Sequence, residues 1–292
     1  MMKRSIDNLP AIIIRGMNKD DLAFAAECTA AEGWVSENLA TLEGFYLSDP
    51  KGCLLAEESR RPVGICIATC YGLSGFIGEL IVHPEARGKG VGAALLNQGV
   101  RILQDRGVET VYLDGVLKAV QLYERNGFRK VCRSWRFSGS LPGEKSPRVR
   151  RMSMNDMDQV AALDTRSFGA DRRFFLRRRF ESFPELSYVL VDQGQVCGYL
   201  LGRGGKDWLA VGPWVMKDGI ENPEELLNAI ALEAKGRNIS IGILDTHQQA
   251  RELVQASGFI ARTDSPWRMA LGESINLGTS RCCYAVGSAA KG

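Results

Sequence analysis

Histidine is scarce in this chain, and long apolar runs are absent. The two histidines, His83 and His247, stand in no Ser-His-Asp or Cys-His pattern, so a covalent acyl-enzyme is not predicted. No apolar run approaches the roughly 18 residues that a membrane span needs. The first residues, Met1–Asn8, carry charge but lack the apolar stretch of a signal peptide. We therefore expect a soluble, cytoplasmic protein with no membrane partner.

A large excess of one charge is also lacking. The net charge is only +3, from 37 basic and 34 acidic residues, which argues against a nucleic-acid partner. The densest basic stretch, Arg172–Arg179, is interpreted as the solvated face of a helix that turns Phe174, Phe175 and Phe180 inward. Cys66 and Cys70 share a strand face, but no second Cys or His pair completes a zinc site. No metal is predicted.

The two halves of the chain repeat one order of elements. Each half reads as two strands around a polar turn, a third strand, a helix, a fourth strand and a helix that ends in Gly-Phe. Such self-similarity indicates a duplicated domain. Residues 138–148 have the Gly, Pro and Ser composition of a linker. We therefore predict domains at 1–137 and 149–292, both mixed α/β, each with a mixed central sheet flanked by helices.

The most informative segment is a glycine-rich turn after a buried strand that ends at Val82. It comprises Arg87, Gly88, Lys89, Gly90, Val91 and Gly92. The three glycines permit a tight turn whose backbone N–H groups point at one anion. Apolar residues at helical spacing follow, and a helix N-terminus with two basic side chains beside it suits a diphosphate. A surface turn whose glycines merely cap two elements is the structural alternative.

Two other phosphate-binding motifs fit this turn less well. A P-loop needs Gly-Lys-Ser/Thr, and a dinucleotide fingerprint needs Gly-x-Gly-x-x-Gly; neither is present. The order Arg-x-x-Gly-x-Gly instead resembles the coenzyme A pyrophosphate signature of GNAT N-acetyltransferases. Ile12–Leu22 is similar to the opening strand and turn of that family, and Leu122–Phe128 to the helix after its fifth strand. Val211–Trp214 resembles a marker of the degenerate second GNAT-like domain found in tandem bacterial members.

This resemblance implies acetyl-CoA as the co-substrate. The pantetheine arm would hydrogen-bond to backbone around Leu80 and Val82, in a gap between the strand ending there and Tyr112–Asp114. A backbone N–H near Leu80 or Ile81 would stabilise the oxyanion. In the second half, Met216–Glu225 replaces the glycine turn and predicts a helix that starts with two carboxylates. That half should not bind coenzyme A and, by analogy, would help to wall the acceptor pocket.

Two side chains are the candidate catalytic groups. Tyr123 matches the tyrosine of the family that faces the sulfur as general acid, although its spacing also suits a core residue of an amphipathic helix. Glu79 is the candidate base, acting directly or through water, or else a solvated carboxylate at a strand end. Weaker candidates on the acceptor side are Glu32, Trp34 and Asp114.

The resemblance favours an N-acetyltransferase in which a primary amine of a small molecule attacks the thioester directly. A protein lysine or protein N-terminus is the alternative acceptor. A non-catalytic acyl-CoA sensor is the alternative from another class, and it would not need a sulfur-facing acid. A homodimer is compatible with the sequence, which does not indicate an oligomeric state.

Overall fold

The structure, a computed structural model, describes residues 12–34, 37–205, 207–273 and 277–292. The prediction made for Met1–Asn8 falls outside these residues. The chain divides into two compact units, one of Met1–Thr69 with Ile77–Arg106 and one of Cys70–Phe76 with Gly107–Gly292. No helix in the described part is long and apolar enough to cross a membrane.

The first unit is built on a mixed arrangement of strands and helices. Its elements are β1 (Ile12–Gly16), α1 (Asp21–Ala31), α2 (Leu39–Ser48), β2 (Cys53–Glu58), β3 (Arg61–Tyr71), β4 (Ser74–Val82) and α3 (Val91–Gln104). The strands lie side by side in chain order, with β1, β2 and β3 antiparallel. The tip of the β3–β4 hairpin, Cys70–Phe76, belongs to the second unit.

Helix α3 fixes the position of the glycine-rich turn. Its buried residues include Val91, Leu95 and Leu103, which confirms the helix predicted from their spacing. Gly99 lets the helix approach the sheet closely, because a Cβ there would lie 2.9 Å from Cδ1 of Ile77. The start of α3 is therefore held directly after β4.

The second unit contains the remaining elements. They are β5 (Thr110–Gly115), α4 (Val120–Arg125), β6 (Arg129–Gly139), β7 (Val149–Arg151), α5 (Met157–Phe168), α6 (Arg173–Ser182), β8 (Ser187–Asp192), β9 (Gln195–Gly204), β10 (Trp208–Met216), α7 (Glu224–Ala234), β11 (Asn238–Leu244), α8 (Gln248–Ala256), β12 (Ile260–Ala261), β13 (Trp267–Leu271) and β14 (Cys283–Ala285). The sheet order is β5-β13-β6-β11-β10-β9-β8-β7. Clusters of buried apolar residues cover both faces of this sheet. One cluster includes residues of α7 and α8, and the other includes residues of α5 and α6.

Two strands near the end of the chain pair with distant partners. β13 lies between β5 and β6, antiparallel to both, so that Arg268 stands opposite Asp114 on one side and Cys132 on the other. β14 pairs with β10, with Ala285 opposite Trp214. Residues 138 and 139 of the predicted linker belong to β6, and 140–148 form no helix or strand.

The basic stretch Arg172–Arg179 is only partly a solvated helix face. Arg172 is 5% exposed and forms a bidentate ion pair with Asp164, at 2.9 Å for both hydrogen bonds. Phe174 is 40% exposed, so its predicted inward orientation is wrong, whereas Phe180 is buried as predicted. The reason is that α6 begins at Arg173, which places Arg172 in the preceding turn facing the interior.

Removing the buried guanidinium should destabilise the second unit strongly. Arg172→Met leaves Asp164 charged and buried, and loss of one partner of a buried ion pair costs about 3–5 kcal/mol. The neighbouring Arg173→Met is the matched control, because its partner Asp158 is 86% exposed and the pair contributes little. Urea titration measures both free energies of unfolding. Equal losses in the two variants would contradict the assigned role of Arg172.

Candidate active site

The turn between β4 and α3 has the geometry expected of an anion site. Gly88 and Gly90 adopt left-handed conformations, with φ of 78° and 83°. A Cβ at either position would meet no atom within 4 Å, so the space in front of the turn is open. The helix begins at Val91, directly after Gly90. Unpaired N–H groups of the first helical turn and the positive end of the helix dipole both favour an anion here.

The two basic side chains of the turn are held by carboxylates. Arg87 donates from Nη2 to Oε1 of Glu32 at 2.5 Å and from Nε to the carbonyl of Val82 at 2.9 Å. Lys89 contacts both carboxylate oxygens of Glu58, at 2.9 and 3.0 Å. Both cationic side chains are well exposed, at 48% and 38%, and such surface pairs are weak. A bound diphosphate could therefore replace either carboxylate at little cost.

Strand β4 contains a backbone irregularity at Glu79. Its φ of 48° lies in the left-handed region, which is unfavourable for residues other than glycine and occurs preferentially at functional sites. The side chain is 3% exposed, so the interpretation of Glu79 as a solvated carboxylate is wrong. Ile81 is buried, and Leu80 and Val82 are half-buried. The role of Glu79 as base stays a prediction.

Tyr123 lies in the second unit, on α4, and is 6% exposed. Its ring rests on the backbone of β5, because a Cβ at Gly115 would lie 2.9 Å from two ring carbons. On its other side the ring packs edge-on against Phe128, with centroids 6.2 Å apart. Burial is compatible with a core residue and with a general acid shielded from water, so the catalytic role stays a prediction.

The opposite face of β5 carries a buried charged group that we call the Asp114 cluster: Asp114, Ser134, Arg136 and Arg268. Asp114 accepts hydrogen bonds from Ser134 Oγ and Arg136 Nη2, both at 2.8 Å, and from Arg268 Nε at 2.5 Å. Burial by itself would raise the pKa of Asp114, but the two guanidinium groups outweigh it and hold the pKa below its usual value. Asp114 is therefore charged at neutral pH.

The corresponding turn of the second half is different. The predicted helix is confirmed as α7. It begins at Glu224, directly after Pro223, so its first turn contains the two carboxylates. Glu225 is paired with Arg148 and hydrogen-bonded to Ser146. A cavity of about 800 Å³ adjoins this helix start. Its charged lining residues are Lys217, Asp218, Glu221, Glu224, Glu252 and Arg281. Four carboxylates against two cations disfavour a diphosphate.

The cysteines are free throughout the chain, and five of the eight are buried. Burial raises the pKa of Cys28 to about 11 and that of Cys53 to about 12, so both remain thiols at neutral pH. Within the described ranges, no group of three or more His, Cys, Asp or Glu side chains could hold a metal ion.

Comparison with known proteins identifies related sequences for both halves. The family model of the acetyltransferase (GNAT) family matches residues 20–128, and that of an acetyltransferase (GNAT) domain matches residues 160–284. Mycothiol acetyltransferase of Stackebrandtia nassauensis is 36% identical over 107 residues, which are 34% of this chain and 35% of that protein. The chain thus aligns with about a third of the length of that relative.

Two similarities cover more of the chain. Holothin acyltransferase of a Pseudoalteromonas species is 24% identical over 218 residues, 74% of this chain and 73% of that protein. A crystal structure of a protein from Pyrococcus horikoshii matches all of both chains with a TM-score of 0.80 at 23% identity, which shows a shared fold. With a GNAT model matching each half, the chain belongs to the GNAT acetyltransferase family and carries its domains in tandem.

Proposed function

We propose that the protein is an acetyl-CoA-dependent N-acetyltransferase acting on a primary amine of a small molecule. The observation that carries the proposal is the open, doubly left-handed glycine turn at the start of α3. Backbone N–H groups of 88–92 would hold the diphosphate of coenzyme A, with Arg87 and Lys89 exchanging their carboxylate partners for it. Acetyl-CoA supplies the activated thioester when bound.

The residues of this chain would then divide the chemistry. Glu79 removes a proton from the incoming ammonium, directly or through water, so that a neutral amine can attack. The backbone N–H of Leu80 or Ile81 donates to the thioester oxygen as negative charge develops there. Tyr123 donates its phenolic proton to the departing sulfur, and the proton that the nitrogen loses as the amide forms restores the phenol, directly or through water. No covalent bond to the enzyme is required.

The names of the relatives favour a small acceptor over a protein one. Two relatives are named mycothiol acetyltransferase and holothin acyltransferase, and both names refer to small molecules. The test is a panel of primary amines incubated with acetyl-CoA, read out as amine-dependent release of free thiol. Release of thiol that does not depend on the amine would instead favour hydrolysis of acetyl-CoA. Binding of acetyl-CoA without any turnover would favour an acyl-CoA sensor.

Gly115→Ala is expected to lower turnover through Tyr123. The new methyl group would overlap the tyrosine ring, and misplacing a catalytic group by about 1 Å can cost about 100-fold in rate. Gly16→Ala is the matched control, because Gly16 lies in a strand, lacks a left-handed φ and has no atom within 4 Å of the added methyl. Steady-state kinetics at saturating acetyl-CoA measures both variants. Wild-type turnover in Gly115→Ala would argue against an acid role for Tyr123.

We further propose that each chain binds one acetyl-CoA, in its first half. The carboxylates at the start of α7 repel a diphosphate and compete for the same helix dipole. Isothermal titration calorimetry should give one site per chain in the wild type and none in Gly90→Glu. A count of two sites, or one site surviving in Gly90→Glu, would show that the second half binds the co-substrate.

A further inference from the structure

The cavity at the start of α7, which we call the α7 cavity, has a volume of about 800 Å³. All of its lining residues belong to the second unit. It follows β10 and adjoins the next helix, as the glycine-rich turn follows β4 and opens α3 in the first half. None of the residues assigned to acetyl transfer lines it. The α7 cavity therefore has the size of a small-molecule site and is built from residues that the proposed reaction does not use.

The chain itself fills the gap between the two strands beside this cavity. β10 and β11 pair as far as Val211 and Ile241. Beyond that point β14 pairs with β10 on one side, and on the other the N–H of Val286 donates to the carbonyl of Gly242 at 2.8 Å. This strand leaves no gap for a pantetheine arm, so we expect a ligand other than acetyl-CoA in the α7 cavity.

The charge of the cavity lining is opposite to that of the glycine-rich turn. Asp218 and Arg281 form an exposed ion pair and cancel each other. Three further carboxylates have no ion-pair partner in the part of the chain that the structure describes, namely those of Glu221, Glu224 and Glu252. Lys217 offsets one of them. The remaining excess of two negative charges favours a cation as the ligand.

The carboxylates of the lining are spread over the cavity rather than gathered at one point. Glu221 lies in the loop before α7, Glu224 at its start and Glu252 on α8. Within the described ranges, no three His, Cys, Asp or Glu side chains are placed to hold a metal ion. The lining also has an apolar part, formed by Met216, Ile220 and Leu253. Separated carboxylates with apolar surface suit an organic cation whose charges are joined by methylene groups.

One hydroxyl of a buried side chain faces the α7 cavity. Tyr284 lines the cavity and is only 4% exposed. Its hydroxyl has no hydrogen-bond partner among the described residues and yet is not closed off from solvent, so it reaches the cavity. The ring is held by Trp214 and His247, at centroid distances of 5.0 and 4.5 Å. Burial lowers the pKa of His247, so this ring adds no positive charge at neutral pH, and the hydroxyl can accept a hydrogen bond from an ammonium group.

We infer that the α7 cavity is a second ligand site, which binds an aliphatic diamine or polyamine. The carboxylates of Glu221, Glu224 and Glu252 accept hydrogen bonds from its ammonium groups, and its methylene chain lies on the apolar part of the lining. Tyr284 accepts a further hydrogen bond from an ammonium group. A diamine with two positive charges neutralises the excess of the lining. This site does not depend on the proposed acetyl transfer.

The test is isothermal titration calorimetry of the full chain at low ionic strength, with cadaverine, 1,5-pentanediol and MgCl₂ as probes. Cadaverine and the diol have the same chain length and differ in charge, whereas Mg²⁺ has the charge without the chain. The wild type should bind cadaverine about 10-fold or more tightly than either other probe, since a hydrogen bond to a charged group contributes about that factor. Equal binding of the diol or of Mg²⁺, or no binding of cadaverine, would overturn the inference.

Two variants locate the binding site. The double variant Glu221→Gln/Glu224→Gln removes the charge excess and should weaken cadaverine binding about 10-fold or more. Tyr284→Phe keeps the ring contacts with Trp214 and His247 and should weaken it roughly 10-fold, through the hydroxyl alone. Where cadaverine also occupies the acceptor site, both variants should affect the cavity site and leave the other unchanged.

Glu185→Gln is the matched control for removing a carboxylate. Glu185 is exposed, belongs to the same unit and does not line the cavity, so this variant should bind cadaverine like the wild type. Cadaverine binding that is unchanged in both cavity variants would overturn the inference. An equal loss in Glu185→Gln would also overturn it, because the attraction would then come from the overall charge. Neither result bears on acetyl transfer, which the amine panel tests separately.

Discussion

Replacing Gly90 with glutamate is expected to remove measurable acetyl-CoA binding. The substitution places a carboxylate at the start of α3, where the open space in front of the turn would receive the diphosphate. Charge-assisted hydrogen bonds contribute about 1.5–3 kcal/mol each, so losing several weakens binding by about 100-fold or more. Calorimetric titration with acetyl-CoA measures the change.

Gly194→Glu provides the control for backbone strain in this experiment. Gly194 has a φ of 79°, close to the 83° of Gly90, and also has no atom within 4 Å of a Cβ. Both variants therefore introduce the same side chain into the same left-handed conformation. Gly194→Glu should bind acetyl-CoA like the wild type. Unchanged affinity in Gly90→Glu would remove the main argument for the co-substrate.

Tyr123→Phe should lower kcat by about 10²–10⁴-fold, the usual contribution of a general acid, with little change in acetyl-CoA affinity. The phenylalanine ring preserves the contacts with Gly115 and Phe128, so the loss would report on the hydroxyl alone. Single-turnover measurements separate the chemical step from product release.

Tyr46→Phe is the control for removing a tyrosine hydroxyl. Tyr46 lies half-buried on α2 and has no assigned part in the reaction. It should turn over at the wild-type rate. A Tyr123→Phe enzyme as fast as this control would leave Tyr123 as a packing residue of α4, and the departing thiolate would need no acid.

Local patterns in the sequence predict much of this fold. The helix from Val91 and the strands before it follow from apolar spacing and glycine placement, which depend on neighbouring residues. The same holds for α7, whose start is marked by proline and two glutamates. The left-handed φ of Glu79 has no such signal, because no glycine marks it and only the surrounding sheet can hold it.

The Asp114 cluster shows what local patterns cannot provide. Asp114 and Arg268 are 154 residues apart and meet only because β13 pairs with β5. Sequence reasoning named Asp114 as an acceptor-side candidate but had no reason to select Arg268 among the many arginines of the chain. The solvated position predicted for Arg172 is wrong for a related reason, since its partner Asp164 lies on α5, outside the basic stretch.

The position of β13 also has a consequence for how the chain folds during synthesis. β5 and β6 leave the ribosome early, but the strand between them is translated more than a hundred residues later. Until then the two strands expose unpaired backbone edges, which attract other chains. The long wait for a distant strand also slows folding. We therefore expect nascent chains that stop before residue 267 to depend on chaperones and to aggregate when released without them.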